Sequence, residues 1–278
     1  YQRFDEESAE QVREVLRRRE LTPIEVCCRI DKFSRMTVEA HVLRPRGVHI
    51  NKGQLTREIS SACGRTFAQP SVAAAGERIK LQMCQKPVYA VEGDCAASFT
   101  DGSGRYFALL SDGMGTGGRA AVDGTMTASM AHSLLKAGIG FESTLRMINS
   151  AMLAKGGEES LATLDIACID LFTGETQLRK AGAAGTVLRR RTKAEYLEAK
   201  SVPVGILPEI RFARSEKHLE SGDLLVMVSD GVTAAGTEWL CDLVSNFAED
   251  DPQVLAEQIV DRAVHDLSLI HISEPTRH

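Results

Sequence analysis

One device occurs twice in this chain of 278 residues: a strand-length apolar run, then Ser-Asp-Gly, then a loop of small residues, then helical periodicity. The first copy reads "FALLSDGM" over residues 107–114 and continues through "GTGGRAA"; the second reads "LLVMVSDGV" over 224–232. One Asp-Gly after a strand is a turn signal. Two copies in one domain constrain the topology, because Asp112 and Asp230 then stand at strand ends that one edge of stacked sheets can bring together. A third apolar run, in "YAVEGDCAASF", ends at Glu92-Gly93-Asp94 just before the next hairpin. Three strand-end carboxylates beside glycines are the donor set of a hard divalent cation, which takes oxygen ligands, few carboxylates and several waters. Glycine also lets the backbone come close and leaves its carbonyl free as a further ligand.

The rest of the chain supplies sheets for such a site. Residues 5–19 predict a helix with Val12, Val15 and Leu16 on one face. Period-two alternation in "IEVCCRI" (24–30) and "MTVEAHV" (36–42), joined by "DKFSR", predicts a hairpin, and a helix follows over 54–63, stopped by Gly64. The Ala/Gly/Pro-rich stretch 64–76 reads as a connection, so a domain boundary is expected at residue 76. Beyond it "RIKLQMC", "RYFALLS", the hairpin "TLDIACIDLFTGETQLRKAG", "TVLRRR", "RFARSEK" and "DLLVMVS" read as strands. Helices are expected over 118–136, with Val122, Met126, Met130 and Leu134 on the core face, and over 141–153, with Phe141, Leu145, Ile148 and Met152. Two more follow, one carrying Leu240, Val244 and Phe247, the other opening at Asp251-Pro252. Hairpin-ordered strands with helices in blocks indicate an α+β fold of antiparallel sheet layers flanked by helices.

Composition narrows the function. A net charge of −5 provides no basic footprint, so nucleic acid is not an expected partner. The longest apolar runs are strand-length, well short of the roughly 20 residues that span a bilayer. Seven scattered cysteines without a C-x-x-C pair fit buried thiols in a reducing cytoplasm, and none of the seven histidines has metal-ligand spacing. The loop "GMGTGG" enters a helix whose N-terminus favours an anion. A Walker-type phosphate loop is excluded because no Lys is present in it. An aspartyl-phosphate enzyme would need a nucleophilic Asp, and the best candidate, Asp170, lies next to the turn "FTGE" inside a hairpin.

Five segments, "EGDCAASF", "SDGMGTGGRAA", "TLDIACIDL", "VPVGILP" and "GDLLVMVSDGV", stand in the order found in metal-dependent Ser/Thr protein phosphatases of the PPM (PP2C) type. Residues 77–267 resemble that family, most closely the phosphatase region of a sporulation regulator of endospore-forming bacteria. The resemblance implies a four-layer α-β-β-α sandwich of two mostly antiparallel sheets, preceded by a small regulatory helix and hairpin segment over 1–76. It implies two Mn²⁺ or Mg²⁺ ions, with Asp112 touching both, Asp94 and the Gly113 carbonyl serving one, and Asp230 the other. Catalysis would then rest on Asp94, Asp112 and Asp230. Eukaryotic members of the family often carry His where this chain has Met114, and Met cannot donate a proton. The implied substrate is a phosphorylated anti-sigma factor antagonist. The implied setting is cytoplasmic, with a membrane reached only through upstream spans, and a homo-oligomer is allowed.

One departure stands at the end. The family closes with Asp-Asp-Met-Thr and a last apolar strand, whereas here "VDRAVHD" runs into "LSLIHISEPTRH". Residues 268–278 are therefore expected to be a foreign tail. Without the closing Asp, a non-catalytic interaction module of the same fold is the alternative function.

Overall fold

The computed structural model describes residues 2–88, 97–115, 118–155 and 160–273. The chain forms two compact units, Tyr1–Val88 and Tyr89–His278.

The first unit runs β1 (Gln2–Phe4), α1 (Glu6–Arg18), β2 (Thr22–Asp31), β3 (Met36–Leu43), α2 (Lys52–Cys63), β4 (Ser71–Ala75) and β5 (Arg78–Cys84). Asp5 caps α1 by accepting from the Ser8 N–H at 3.1 Å. Glu6 and Glu7 in the first turn and Arg17 and Arg18 in the last complement the helix dipole. Gly64, in the left-handed region, ends α2. The sheet is antiparallel with strand order β1-β2-β3-β5-β4. Its inward positions, such as Val26, Cys28, Val38, Val42, Ile79 and Leu81, make one core with Val12, Leu16, Leu55 and Ile59 of the two helices.

This unit reaches further than the expected boundary at residue 76. The strand "RIKLQMC" pairs along its whole length with β3, so it closes the first sheet rather than opening the second unit. The alanine-rich stretch read as a connection contributes β4, an exposed edge strand paired with β5. Sheet pairing had no local signature in "SVAAA", because alanine is depleted in strands and shows no alternation.

The second unit runs β6 (Ala97–Thr100), β7 (Arg105–Leu110), α3 (Gly118–Lys136), α4 (Phe141–Ala154), β8 (Leu164–Asp170), β9 (Glu175–Ala181), β10 (Thr186–Arg190), β11 (Lys193–Leu197), β12 (Ala213–His218), β13 (Leu224–Met227), α5 (Asp230–Thr233), α6 (Glu238–Asn246) and α7 (Pro252–Ser273). Two antiparallel sheets result, ordered β12-β9-β8-β7-β6 and β11-β10-β13. One face of the larger sheet, with Phe107, Leu109, Leu164 and Ile166, buries against Ala131, Leu135, Leu145 and Ile148 of α3 and α4. One face of the smaller sheet buries Val187 against Leu240, Val244, Leu255 and Ile259 of α6 and α7. The opposite faces carry buried Ala167 and Leu178 on one sheet and Thr186 and Leu188 on the other, the burial expected where two sheets lie face to face. The four-layer α-β-β-α order expected for this unit is thus present. Helix α7 continues without a break across residue 268 to Ser273, and 274–278 lie outside the described residues.

Helix α3 is centred slightly off its most apolar stripe. Val122 is 57% exposed, whereas Asp123, Gly124, Thr127, Ala131 and Leu135 are buried. Of the expected face, Met126, Met130 and Leu134 are half-buried and pack against the core, and Val122 alone is left out, so the buried stripe is centred about one residue further round. The cause is close packing at Gly124, described next.

Candidate metal centre

Strand β7 delivers Asp112, and β8 holds it. The β7–β8 pairing runs from Arg105↔Asp170 to Leu110↔Asp165 and then continues in the same register beyond both strands. The Asp112 N–H donates to Thr163 Oγ1 at 2.9 Å, and the Thr163 N–H donates to the Asp112 carbonyl at 2.8 Å. Ser111 Oγ donates to the Thr163 carbonyl at 2.7 Å. Gly113 bridges Ala162, which in turn bridges Val204 of the "VPVGILP" segment, and the Met114 N–H donates to the Leu161 carbonyl at 2.8 Å. Asn149 of α4 ties that segment down. Its amide oxygen accepts from the Gly205 N–H at 2.8 Å, and its Nδ2 donates to the Leu207 carbonyl at 2.8 Å.

Helix α3 holds the same segment from the other side, backbone against backbone. A Cβ on Gly113 would fall 1.7 Å from the Ala120 carbonyl oxygen, and one on Gly124 would fall 2.7 Å from the Gly113 nitrogen. Only glycine fits at either position. This contact turns Asp123 inward, where it is fully buried and paired with Lys155, the residue that ends α4. Arg119 Nη2 also reaches Ser160 Oγ at 3.2 Å. Asp112 is itself exposed, so a fixed backbone presents an open carboxylate.

Asp230 is held more simply. Buried Val228 ends the apolar run of β13, Ser229 is the N-cap of α5 without a side-chain cap bond, and Asp230 is the first residue of that four-residue helix. Its supports are local: the Val232 N–H donates to the Ser229 carbonyl at 3.1 Å, and Thr233 Oγ1 donates to the Asp230 carbonyl at 3.1 Å. Asp230 is also exposed. Asp94 lies outside the described residues. Among the described residues no group of three His, Cys, Asp or Glu side chains is placed to hold a metal ion, and the expected ligands described there are Asp112, Asp230 and the Gly113 backbone.

These groups suit a hard cation. Both side chains offer oxygen. The pairing of Gly113 with Ala162 turns its carbonyl away from β8, and among the described residues no hydrogen bond uses that carbonyl. Met114 is exposed beside it and offers no proton.

Sequence reading missed the residues beneath this loop. Asp165 and Lys180, on adjacent strands β8 and β9, form a buried ion pair. Burial pushes the Asp165 carboxyl up to about 6 against the pull of Lys180, and burial likewise pushes the Lys180 ammonium down. One Asp165 oxygen, Oδ1, has no partner among the described residues. The available signal was charge inside two strands, "TLDIACIDL" and "TQLRKAG", whose middle residues are buried on both faces.

The model of the stage II sporulation protein E (SpoIIE) family matches residues 93–273. Stage II sporulation protein E of Bacillus subtilis (strain 168) is 28% identical over 180 residues, which make up 63% of this chain and 22% of that protein. Its counterpart in Priestia megaterium is 28% identical over 180 residues, 63% of this chain and 31% of that protein. The chain thus spans less than a third of the curated relatives it matches. In fold it is similar to a structure of the PP2C phosphatase domain and a fragment of the regulatory domain of B. subtilis SpoIIE, with a TM-score of 0.66 at 21% identity, covering 93% of this chain and 82% of that one. A serine/threonine phosphatase from S. agalactiae is similar over 61% of this chain and 85% of its own, with a TM-score of 0.53 at 16% identity. The PP2C family is metal-dependent, in keeping with oxygen donors at the ends of β7 and β13. A two-sheet sandwich with Ser-Asp-Gly at one strand end in each sheet, and a family match over nearly all of the second unit, lead to one conclusion: the chain belongs to the stage II sporulation protein E family.

Proposed function

We propose that this chain is a Mn²⁺- or Mg²⁺-dependent phosphoserine protein phosphatase whose two ions are held by Asp94, Asp112, the Gly113 carbonyl and Asp230. The observation that carries this reading is the open Asp112 carboxylate on a backbone fixed from two sides, by β8 and by α3. When bound, the metal pair would supply an activated water nucleophile and neutralise charge on the phosphoryl oxygens. The chain's own part is placement. Thr163 and the Gly113–Gly124 contact hold Asp112 so that no reorganisation is needed when a phosphate arrives. The exposure of Asp112 and Asp230 leaves room for a phosphoserine carried on a folded protein. Met114 cannot protonate the leaving serine, so that proton falls to water.

The substrate in this reading is a phosphorylated anti-sigma factor antagonist, and the setting is sporulation. Similarity to the stage II sporulation proteins supports the setting, and the substrate is the one the family resemblance implies. The first unit would be a regulatory segment, in line with the regulatory-domain fragment named in the similar structure.

The test is phosphate release from p-nitrophenyl phosphate and from the phosphorylated antagonist, with and without Mn²⁺, for the chain and for Asp112→Asn. Mn²⁺-dependent turnover that Asp112→Asn abolishes is expected. A chain that binds the phosphoprotein but releases no phosphate at any Mn²⁺ concentration would instead be an interaction module.

A further inference from the structure

We propose that the buried Asp165–Lys180 pair is a positioning element that sets the electric field beneath Asp112 and thereby tunes how tightly the metal centre binds its ions. The inference rests on the reading of Asp112 as a metal ligand.

The register places the pair. Leu110, Asp165, Lys180 and Ala213 lie side by side across four strands of the larger sheet. Asp112 lies opposite Thr163, because Gly113↔Ala162 keeps the register set by Leu110↔Asp165. Side chains two residues apart on a strand share a face. Asp112 and Asp165 therefore project from the same face, the one turned to the second sheet, with Asp165 the diagonal neighbour one row inward. Diagonal neighbours of this kind have Cα atoms ~7–8 Å apart. The pair is enclosed: Asp165 is 1% exposed and Lys180 2%.

Stability does not account for it. A buried ion pair loses in desolvation about what it gains in attraction, and an apolar pair of similar volume is often as stable. A pair one row below a dication site has another consequence. Intact, it is neutral. Losing either charge leaves a net charge one row inward of Asp112 in a poorly screened interior, where Coulomb energy with a dication is worth on the order of tenfold in affinity or more. The two losses have opposite signs. Asp165→Asn leaves Lys180 and repels Mn²⁺; Lys180→Met leaves Asp165 and attracts it.

The experiment is calorimetric titration of Mn²⁺ into the full chain and three variants, Asp165→Asn, Lys180→Met and the double Asp165→Asn/Lys180→Met, alongside metal-free thermal unfolding of each. Mn²⁺ affinity is expected to fall about tenfold in Asp165→Asn, to rise about tenfold in Lys180→Met, and to return to within about threefold of the parent in the double variant. A structural role alone would lower the unfolding temperature of the single variants without moving affinity in opposite directions. If Lys180→Met does not fold, the other two decide: loss in Asp165→Asn with recovery in the double variant sustains the inference, and equal affinity or equal loss in both overturns it. Equal affinity in all four chains overturns this inference and leaves the metal centre standing. No Mn²⁺ binding by the parent overturns the metal reading and this inference with it.

Discussion

The two Ser-Asp-Gly segments share three residues and little else. Asp112 sits on an inner strand of the larger sheet, continues its ladder with β8, and has α3 pressed on its backbone through two glycines. Asp230 follows β13, which among the described residues pairs on one side only, with β10, and its hydrogen bonds reach no further than the next few residues. The glycines differ just as much. A Cβ at Gly113 strikes the Ala120 carbonyl, whereas one at Gly231 would have only Ser229 Oγ nearby, at 3.8 Å. The same tripeptide is thus clamped in one sheet and merely seated in the other. The lesson is that a repeated motif identifies equivalent chemistry but says nothing about how firmly each copy is held, which depends on partners distant in sequence.

The sharpest way to break this contrast is at the carboxylates. Asp112→Asn keeps the shape and removes the charge that, in the proposed function, holds the metal. It is expected to lower Mn²⁺-dependent turnover by about 10²-fold or more with unfolding temperature unchanged, and by more than Asp230→Asn. Equal losses in the two variants would mean that the clamped copy has no special part. Next in size are the glycines. Gly113→Ala drives a methyl into backbone and is expected to cost about 3 kcal/mol, read as a drop of roughly 6–12 °C in the unfolding temperature. Gly231→Ala, in helical conformation with open space, is expected to be neutral or to stabilise by about 0.5 kcal/mol. The smallest effects belong to the hydroxyls. Thr163→Val removes the acceptor for the Asp112 N–H and is expected to cost about 1 kcal/mol, with Mn²⁺ affinity falling a few-fold. Ser229→Ala removes no side-chain cap bond and is expected to stay within about 0.5 kcal/mol. A Ser229→Ala loss as large as that of Thr163→Val would show the second copy to be better anchored than its hydrogen bonds indicate.

Much of the framework was legible because it is written in local periods. The alternation of Val26, Cys28 and Ile30 and the three- and four-residue spacing of Leu145, Ile148 and Met152 read directly into buried faces. Helix α3 misled for a physical reason. Its methionine and valine stripe promised more buried area, but backbone contact at Gly124 fixed the helix rotation and left Val122 outside. Apolar pattern loses to a close approach that only glycine allows. Asp112, Gly113 and Asp230 stand out in the sequence through their repeat. The residues that hold Asp112 were not, because Thr163 and Gly124 acquire their roles only through pairing and packing with segments far along the chain. Lys180 and Asp165 were read as ordinary strand residues, since burial on both faces of a sheet has no signature at one position.

Edge placement of β13 has a kinetic reading. Amide protons exchange with solvent through local openings whose cost follows the number of bonds and contacts broken together. Opening the Asp112 backbone requires parting it from β8 and from α3 at once, whereas opening the Ser229–Asp230 corner breaks bonds that lie within a few residues. Deuterium should therefore enter the 229–233 amides well before those of 112–114. If the two carboxylates share the proposed metal centre, its halves would live on different clocks, a slow one set by the clamped sheet and a fast one by the seated corner, and ion capture would wait on the faster half to close.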